Sequence, residues 1–347
     1  MRFTLECRIF AALVHILKDE DIHVSDDANA AGMPAYLARG GEQELVAPCA
    51  LDGSQFYVFM LKAQQDKLQA LMDRLFNQPS GGAVRYEAFW DHVALMFTHV
   101  DRLSSADPSQ GWAAYGDIAM WVPVLDHGAG GLLPVFKMYP VYMIVDNGST
   151  MATGREVYGF PKEMGWFVEP QTPEFLGDLA VDVLGYERTS TTQQSVRTRL
   201  WTIQRSSAGA ANTTPLADIE SLVRELEKAM KEMFSNVEAG LIIALNLLRD
   251  HFAIPALGLK QFRDITDPTR AAYQAMTEAP LALKKFRSAS LLGDEFSFIL
   301  NDLASHPVAQ ETGLATGPQA VSFAFWLYAD MTLGTGKTNW QSTATGN

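Results

Sequence analysis

The sequence predicts an α+β fold built mainly from antiparallel strands, a barrel or a sandwich with helices packed against it. Three observations carry this expectation. Strand-like segments rich in Val, Ile, Phe and Tyr recur at short intervals from residue 56 to residue 204, separated by Gly, Pro, Asp and Asn. Helical periodicity is confined to a few stretches, so helices do not alternate with strands as a parallel βαβ array requires. Of the 347 residues 48% are apolar and 19% charged, enough to build a large core and unlike a disordered chain.

Residues 1–45 read as an N-terminal arm. Within it Ile9–Lys18 suits a short helix, and Asp26–Gly41, with Pro34 and many small residues, a loop. Phe56–Leu61 is a buried strand. Gln64–Phe76 places Leu68, Leu71, Met72 and Leu75 on one helical face and ends at Asn77–Gly82. Strands follow at Val93–His99, Ile118–Leu125, Phe136–Val145 and Leu179–Leu184, with another within Thr189–Gln204.

The clearest helix is expected to start at Thr214 as N-cap with Pro215 in the first position. Its apolar stripe runs through Leu216, Ile219, Leu222, Val223, Leu226, Met230 and Met233, and such a stripe packs against a core. Gly240–Phe252 is apolar and suits helix or strand. Leu257–Phe262 reads as a strand and Thr269–Glu278 as helical or mixed. Residues 318–347 read as a C-terminal arm, which leaves 46–317 as the central domain.

Charge and cysteine content narrow the function. Lys and Arg number 27 against 40 Asp and Glu, a net charge of −13. Nucleic acid and anionic membranes both require a basic face, so neither is expected as a partner. Two cysteines, Cys7 and Cys49, suit a reducing compartment, and the N-terminus has no small-residue cleavage site after its apolar run, so a cytoplasmic protein is expected. Gly336-Lys337-Thr338 lacks the upstream glycine of a phosphate-binding loop, since Met331 stands there, and Gly128-Ala129-Gly130 lacks the third glycine of a dinucleotide fingerprint. His92 and His99, seven apart on a strand, face opposite ways, so no metal site is expected.

The chemistry-bearing segment is Gly154-Arg155-Glu156-Val157-Tyr158-Gly159-Phe160-Pro161-Lys162-Glu163-Met164-Gly165-Trp166. A lysine among Tyr158, Phe160, Met164, Trp166 and Phe167 either snorkels to water or loses part of its charge by desolvation. A neutral lysine amine attacks ketones and forms a Schiff base. Pro161 fixes the backbone immediately before it, and Gly159 permits a sharp approach. The bland alternative is a surface loop lysine.

Gly154-Arg155-Glu156 followed after three residues by Phe160-Pro161-Lys162 resembles the signature of the acetoacetate decarboxylase family. Val145-Asp146-Asn147, Gly165-Trp166 and Asp267-Pro268-Thr269-Arg270 extend the likeness, which covers about residues 50–290. The resemblance implies a β-barrel core with packed helices, a homo-oligomer, a catalytic domain over 46–317, and Lys162 as the Schiff-base lysine. In that family the lysine is made nucleophilic by desolvation or a cationic neighbour. No metal or organic cofactor is implied, because the protein's own amine is the electron sink.

The departures from the family pattern are as informative. A second lysine normally follows the first; here it is Glu163, taken as a candidate catalytic group, which would favour the ammonium form if it faced Lys162 and is otherwise a solvated or salt-bridged structural residue. Counting back from Val122-Pro123-Val124 puts Asp117 where the family has an active-site glutamate, as a candidate proton-transfer group. The family's substrate-binding arginine is missing, Ser54 or Gln55 falling in its place, and Arg155 is a candidate substitute. Tyr158, Phe160, Met151 and Trp166 complete the expected substrate surroundings.

Three readings follow: decarboxylation of a small 3-keto acid through a Lys162 iminium and enamine; condensation of a pyruvate-like keto acid with an aldehyde through the same lysine, followed by dehydration; or a non-catalytic family member that binds a small ligand.

Overall fold

A computed structural model of the protein describes residues 35–128, 134–168, 172, 177–206, 211–233 and 253–342. The chain divides into two compact units, Met1–Ala38 and Arg39–Asn347. The first is described only at 35–38, and the architecture that follows is that of the second. The expected helix at Ile9–Lys18 and the apolar segment Gly240–Phe252 lie outside the described residues.

Strand β1 (Cys49–Lys62) explains the unbroken apolar run at its centre. Successive side chains point to opposite faces of a strand. Tyr57, Phe59 and Leu61 enter one core, while Phe56, Val58 and Met60 enter another. A strand buried on both faces cannot alternate apolar with polar residues.

The chain continues through α1 (Gln65–Met72), a wide π turn at Asp73–Asn77, β2 (Tyr86–Ala88), β3 (His92–Ser105), β4 (Trp112–Asp126) and β5 (Val135–Val145). A short helix, α2 (Gly148–Thr153), widens into a second π turn at Gly154–Tyr158 and delivers β6 (Lys162–Val168). Then come β7 (Leu179–Gly185), β8 (Val196–Arg205), β9 (Thr213–Leu216), α3 (Ile219–Met233), β10 (Ala253–Arg263), β11 (Ala271–Leu292) and β12 (Phe296–Leu300). The last elements are α4 (Val308–Thr312), β13 (Gly317–Leu333) and β14 (Lys337–Gln341).

The described strands are mostly antiparallel and join in one sheet whose pairings return on themselves. From β13 one path runs through β1, β3, β4, β5, β10 and β11 back to β13. A second leaves β5 through β6, β7, β8 and β12 and also reaches β13. The core containing Phe56, Val58 and Met60 belongs mainly to the first path, and the core containing Phe59, Trp201 and Phe298 to the second.

Three expectations are corrected. Thr214 does not cap a helix: Thr213–Leu216 pairs with Leu292–Ala289 of β11, and Asp218 receives the Ser221 N–H at 2.8 Å at the start of α3. Pro215 therefore sits on a strand that pairs on one side, where its missing N–H is tolerated. Residues 271–278 are strand, not helix. Their Ala, Met and Glu favour helix locally, but pairing with β10 overrides that preference. The expected C-terminal arm is not separate, since β13 pairs with β1, β11 and β12 and buries Ala324, Trp326, Ala329 and Met331. Among the described residues no helix is long and apolar enough to cross a membrane.

Candidate active site

The lysine segment is held at both ends. Asn147 caps α2, its side-chain oxygen accepting the Ser149 N–H at 2.9 Å and the Thr150 N–H at 3.3 Å. The π turn that follows ends at Gly159, which adopts a left-handed φ of 76°. A Cβ there would stand 2.5 Å from the Lys260 backbone nitrogen, so glycine is required for packing as well as for the turn. Leu259 N–H donates to the Gly159 carbonyl at 2.9 Å, and Phe160 N–H to the Gly154 carbonyl at 2.8 Å. Lys162 then enters β6, in parallel register with Met143 of β5.

The Lys162 side chain is only 8% exposed, and that of Asp117 11%. The amine lies 3.8 Å from Asp117 Oδ2 and 5.3 Å from the centre of the Tyr115 ring. Burial pushes the amine below its ordinary basicity; the Asp117 charge pushes the other way. Tyr115 and Asp117 share one face of β4 with Ala119 and Trp121, all buried, which is how a β4 carboxylate reaches a lysine on β6. The Tyr115 hydroxyl is held far above its usual range by burial and by Asp117.

The aromatic residues form the adjoining wall. Tyr158 stacks on Phe160 at 5.5 Å, and Phe160 meets Trp121 edge-on at 6.4 Å. The Tyr158 hydroxyl donates towards Cys49 Sγ at 3.8 Å and the Leu333 carbonyl at 3.4 Å. Burial raises the Cys49 thiol, which is thereby kept in its neutral form.

Other expected site residues are directed elsewhere. Glu163 faces away from Lys162: its carboxylate lies 3.0 Å from His306 Nε2, on the opposite side of β6. Arg155 uses Nη1 to donate to the Lys162 backbone carbonyl at 3.2 Å, and it borders an outer polar pocket with Arg263 and Arg270. It braces the lysine's main chain. Trp166 is 40% exposed beneath the Arg197 guanidinium, 5.1 Å from it. Met151 is half-buried on α2 and is not among the side chains packed with Tyr158 and Phe160. Tyr115 and Cys49 were not anticipated. Tyr115, two residues before Asp117 on a strand, was available from alternation alone.

A second buried lysine shows what distinguishes Lys162. Lys137 Nζ lies 2.8 Å from Asp126 Oδ2 and also engages Glu278, so two carboxylates hold it. Among the described residues Lys162 has one carboxylate within ion-pair range, at 3.8 Å. Among the described residues no group of three His, Cys, Asp or Glu side chains is placed to hold a metal ion.

The family model of acetoacetate decarboxylase (ADC) matches residues 32–180, the span that contains Asp117 and Lys162. Over those residues the chain is acetoacetate decarboxylase-like.

Solved structures share its fold. The acetoacetate decarboxylase from Legionella pneumophila is 16% identical with a TM-score of 0.57, the match covering 93% of this chain and 99% of that one. A further acetoacetate decarboxylase structure is 14% identical with a TM-score of 0.50, covering 86% and 92%. The enduracididine biosynthesis enzyme MppR, complexed with the condensation product of pyruvate and imidazole 4-carboxaldehyde, is 12% identical with a TM-score of 0.51, covering 89% and 98%. Curated protein sequences give no match.

Proposed function

We propose that the protein is a carbon–carbon lyase that decarboxylates a 3-keto acid through a Schiff base on Lys162, inside a barrel formed by the first strand circuit. The observation that carries this reading is the buried Lys162 amine, depressed in basicity by burial and accompanied by the carboxylate of Asp117.

The neutral amine adds to the keto carbon and gives a carbinolamine. Loss of water leaves an iminium cation. The electron pair of the bond to the carboxylate then moves towards the iminium nitrogen, releasing CO2 and an enamine. Protonation at carbon and hydrolysis by water return the ketone and the free amine. Asp117, at hydrogen-bonding range after a small movement, carries the protons of the carbinolamine and enamine steps.

The same geometry favours decarboxylation over condensation. A substrate carboxylate beside Asp117 meets a like charge, and CO2 loss removes that charge from a compartment of low polarity. Condensation would require the carboxylate to stay. It is nevertheless the second reading, because MppR, which shares the fold, has been captured with a condensation product.

Borohydride reduction in the presence of acetoacetate, pyruvate and longer keto acids, followed by mass spectrometry, tests the proposal. A reduced adduct on Lys162 with CO2 release is expected. If no keto acid modifies Lys162, the protein is a ligand-binding protein of this fold instead.

A further inference from the structure

We propose that the face of the Tyr115 ring carries the positive charge of the iminium formed on Lys162, which makes Tyr115 a catalytic residue beside the lysine itself. The inference rests on the Schiff-base reading and adds a residue to that chemistry.

The Lys162 nitrogen lies over the Tyr115 ring, 5.3 Å from its centre, and both side chains are buried. A cation within about 6 Å of an aromatic face is attracted by the negative charge concentrated there, and the attraction grows where water is excluded. The iminium nitrogen is the former amine nitrogen, so its charge arises at that place. Lys137 also lies over a tyrosine, Tyr86 at 5.7 Å, but two carboxylates already offset its charge. For Lys162, Asp117 is the one carboxylate within ion-pair range among the described residues. An Asp117 that takes up a proton during the reaction no longer offsets a cation. The ring does so whatever the protonation of its neighbour, and burial keeps its own hydroxyl neutral.

The balance of the step gives the ring a pH signature. The neutral amine adds through its lone pair to the keto carbon, the carbonyl oxygen leaves as water, and one proton is taken up. On the alkaline side of the amine's titration an uncharged nitrogen becomes a cation, so the ring favours the product alone. On the acid side an ammonium becomes an iminium; both are cations at the same place, and the ring's effect cancels. Decarboxylation discharges the nitrogen, so the ring assists formation of the iminium and not loss of CO2. A residue that only fills space would act alike on both sides. The titratable groups facing the pair are Asp117 on β4 itself, Cys49 of β1, Asp146 after β5 and Tyr158 of the π turn. None of them changes when the ring alone is altered.

The test places phenylalanine and its mono-, di- and trifluorinated forms at position 115 of the full-length protein. Fluorine withdraws charge from the ring face with little change of shape. Each protein is reduced with cyanoborohydride in the presence of acetone or pyruvate, and the Lys162 adduct is measured by mass spectrometry across pH, which also locates the amine's titration. On the alkaline side the concentration for half-maximal modification should rise stepwise, by about 3–30-fold across the series. On the acid side it should stay level. An unmoved concentration on the alkaline side, or equal rises on both sides, in proteins that keep the wild-type circular dichroism, would overturn the inference and leave the lysine chemistry standing. No adduct from either compound in any of the proteins, wild type included, would overturn both.

Discussion

The backbone of Gly154 lies directly against the methylene stem of Lys162: a Cβ at position 154 would stand 2.3 Å from Cδ and 2.8 Å from Cε. Gly154 has φ −61° and ψ −43°, an ordinary helical backbone that alanine adopts without strain. Gly154→Ala should therefore displace the amine and not the turn. Schiff-base trapping should fall about 10–100-fold, since displacements of roughly 1 Å can cost that much. Trapping at the wild-type rate would show that the stem has room to move.

Asp117 and burial pull Lys162 in opposite directions, and Asp117→Asn separates them. Removing the carboxylate favours the neutral amine. The acid limb of the trapping profile should shift to lower pH, while turnover falls about 10²–10⁴-fold if Asp117 carries protons. Trapping and product release measured across pH check the two effects independently. An unmoved acid limb would mean that the carboxylate does not act on the amine.

Lys162→Met should stabilise the fold, because it removes a buried charge. The folded protein holds the amine below its ordinary value of 10.5. Between the lowered value and 10.5 the unfolded chain binds more protons, so wild-type stability rises with pH in that window. The advantage of Lys162→Met should be on the order of 1 kcal/mol below the lowered value and vanish as pH approaches 10.5. Urea denaturation of both proteins at several pH values measures it. A variant less stable than wild type at all of them would contradict this account.

Glu163→Gln addresses the other side of β6. Its carboxylate pairs with His306 and is 38% exposed. The variant should trap keto acids within about twofold of wild type and lose roughly 0.5–1 kcal/mol of stability. A large change in the trapping pH profile would mean that Glu163 reaches the amine after all.

Much of this arrangement was legible in the sequence because local chemistry and final structure agree there. The apolar run Phe56–Leu61 reads as a buried strand, and it is one. Lys162 stood out because proline, glycine and aromatics surround it. Glu163 was expected among the catalytic groups, but alternation along β6 turns it to the other face, where it meets His306. Asp117 came from the family resemblance, which implies a carboxylate a few residues before Pro123, and its oxygen lies 3.8 Å from the amine. What stayed hidden depends on partners remote in the chain. Thr213–Leu216 is a strand because Ala289–Leu292 lies beside it, and 271–278 is a strand because β10 does. His306, 143 positions from Glu163, carries no local mark of their pairing. The exposure of Trp166 likewise follows from where β6 leaves the lysine-side core.

β13 closes both strand circuits, pairing with β1, β11 and β12, and it lends Ala329 and Met331 to the lysine-side core. Its partner β1 lies more than 250 positions earlier in the chain, as in the pairing of Cys49 with Leu333. Contacts of such separation form slowly, because a long loop must be closed before they repay it. On a translating ribosome, β1 to β5 and the lysine turn emerge well before the strand that completes their enclosure. A nascent chain thus exposes Phe56, Val58 and Met60 until residue 333 is free, an interval in which aggregation competes with folding. The burial of Lys162 depends on the enclosure that β13 completes, so a partly folded protein carries an ordinary, solvated lysine.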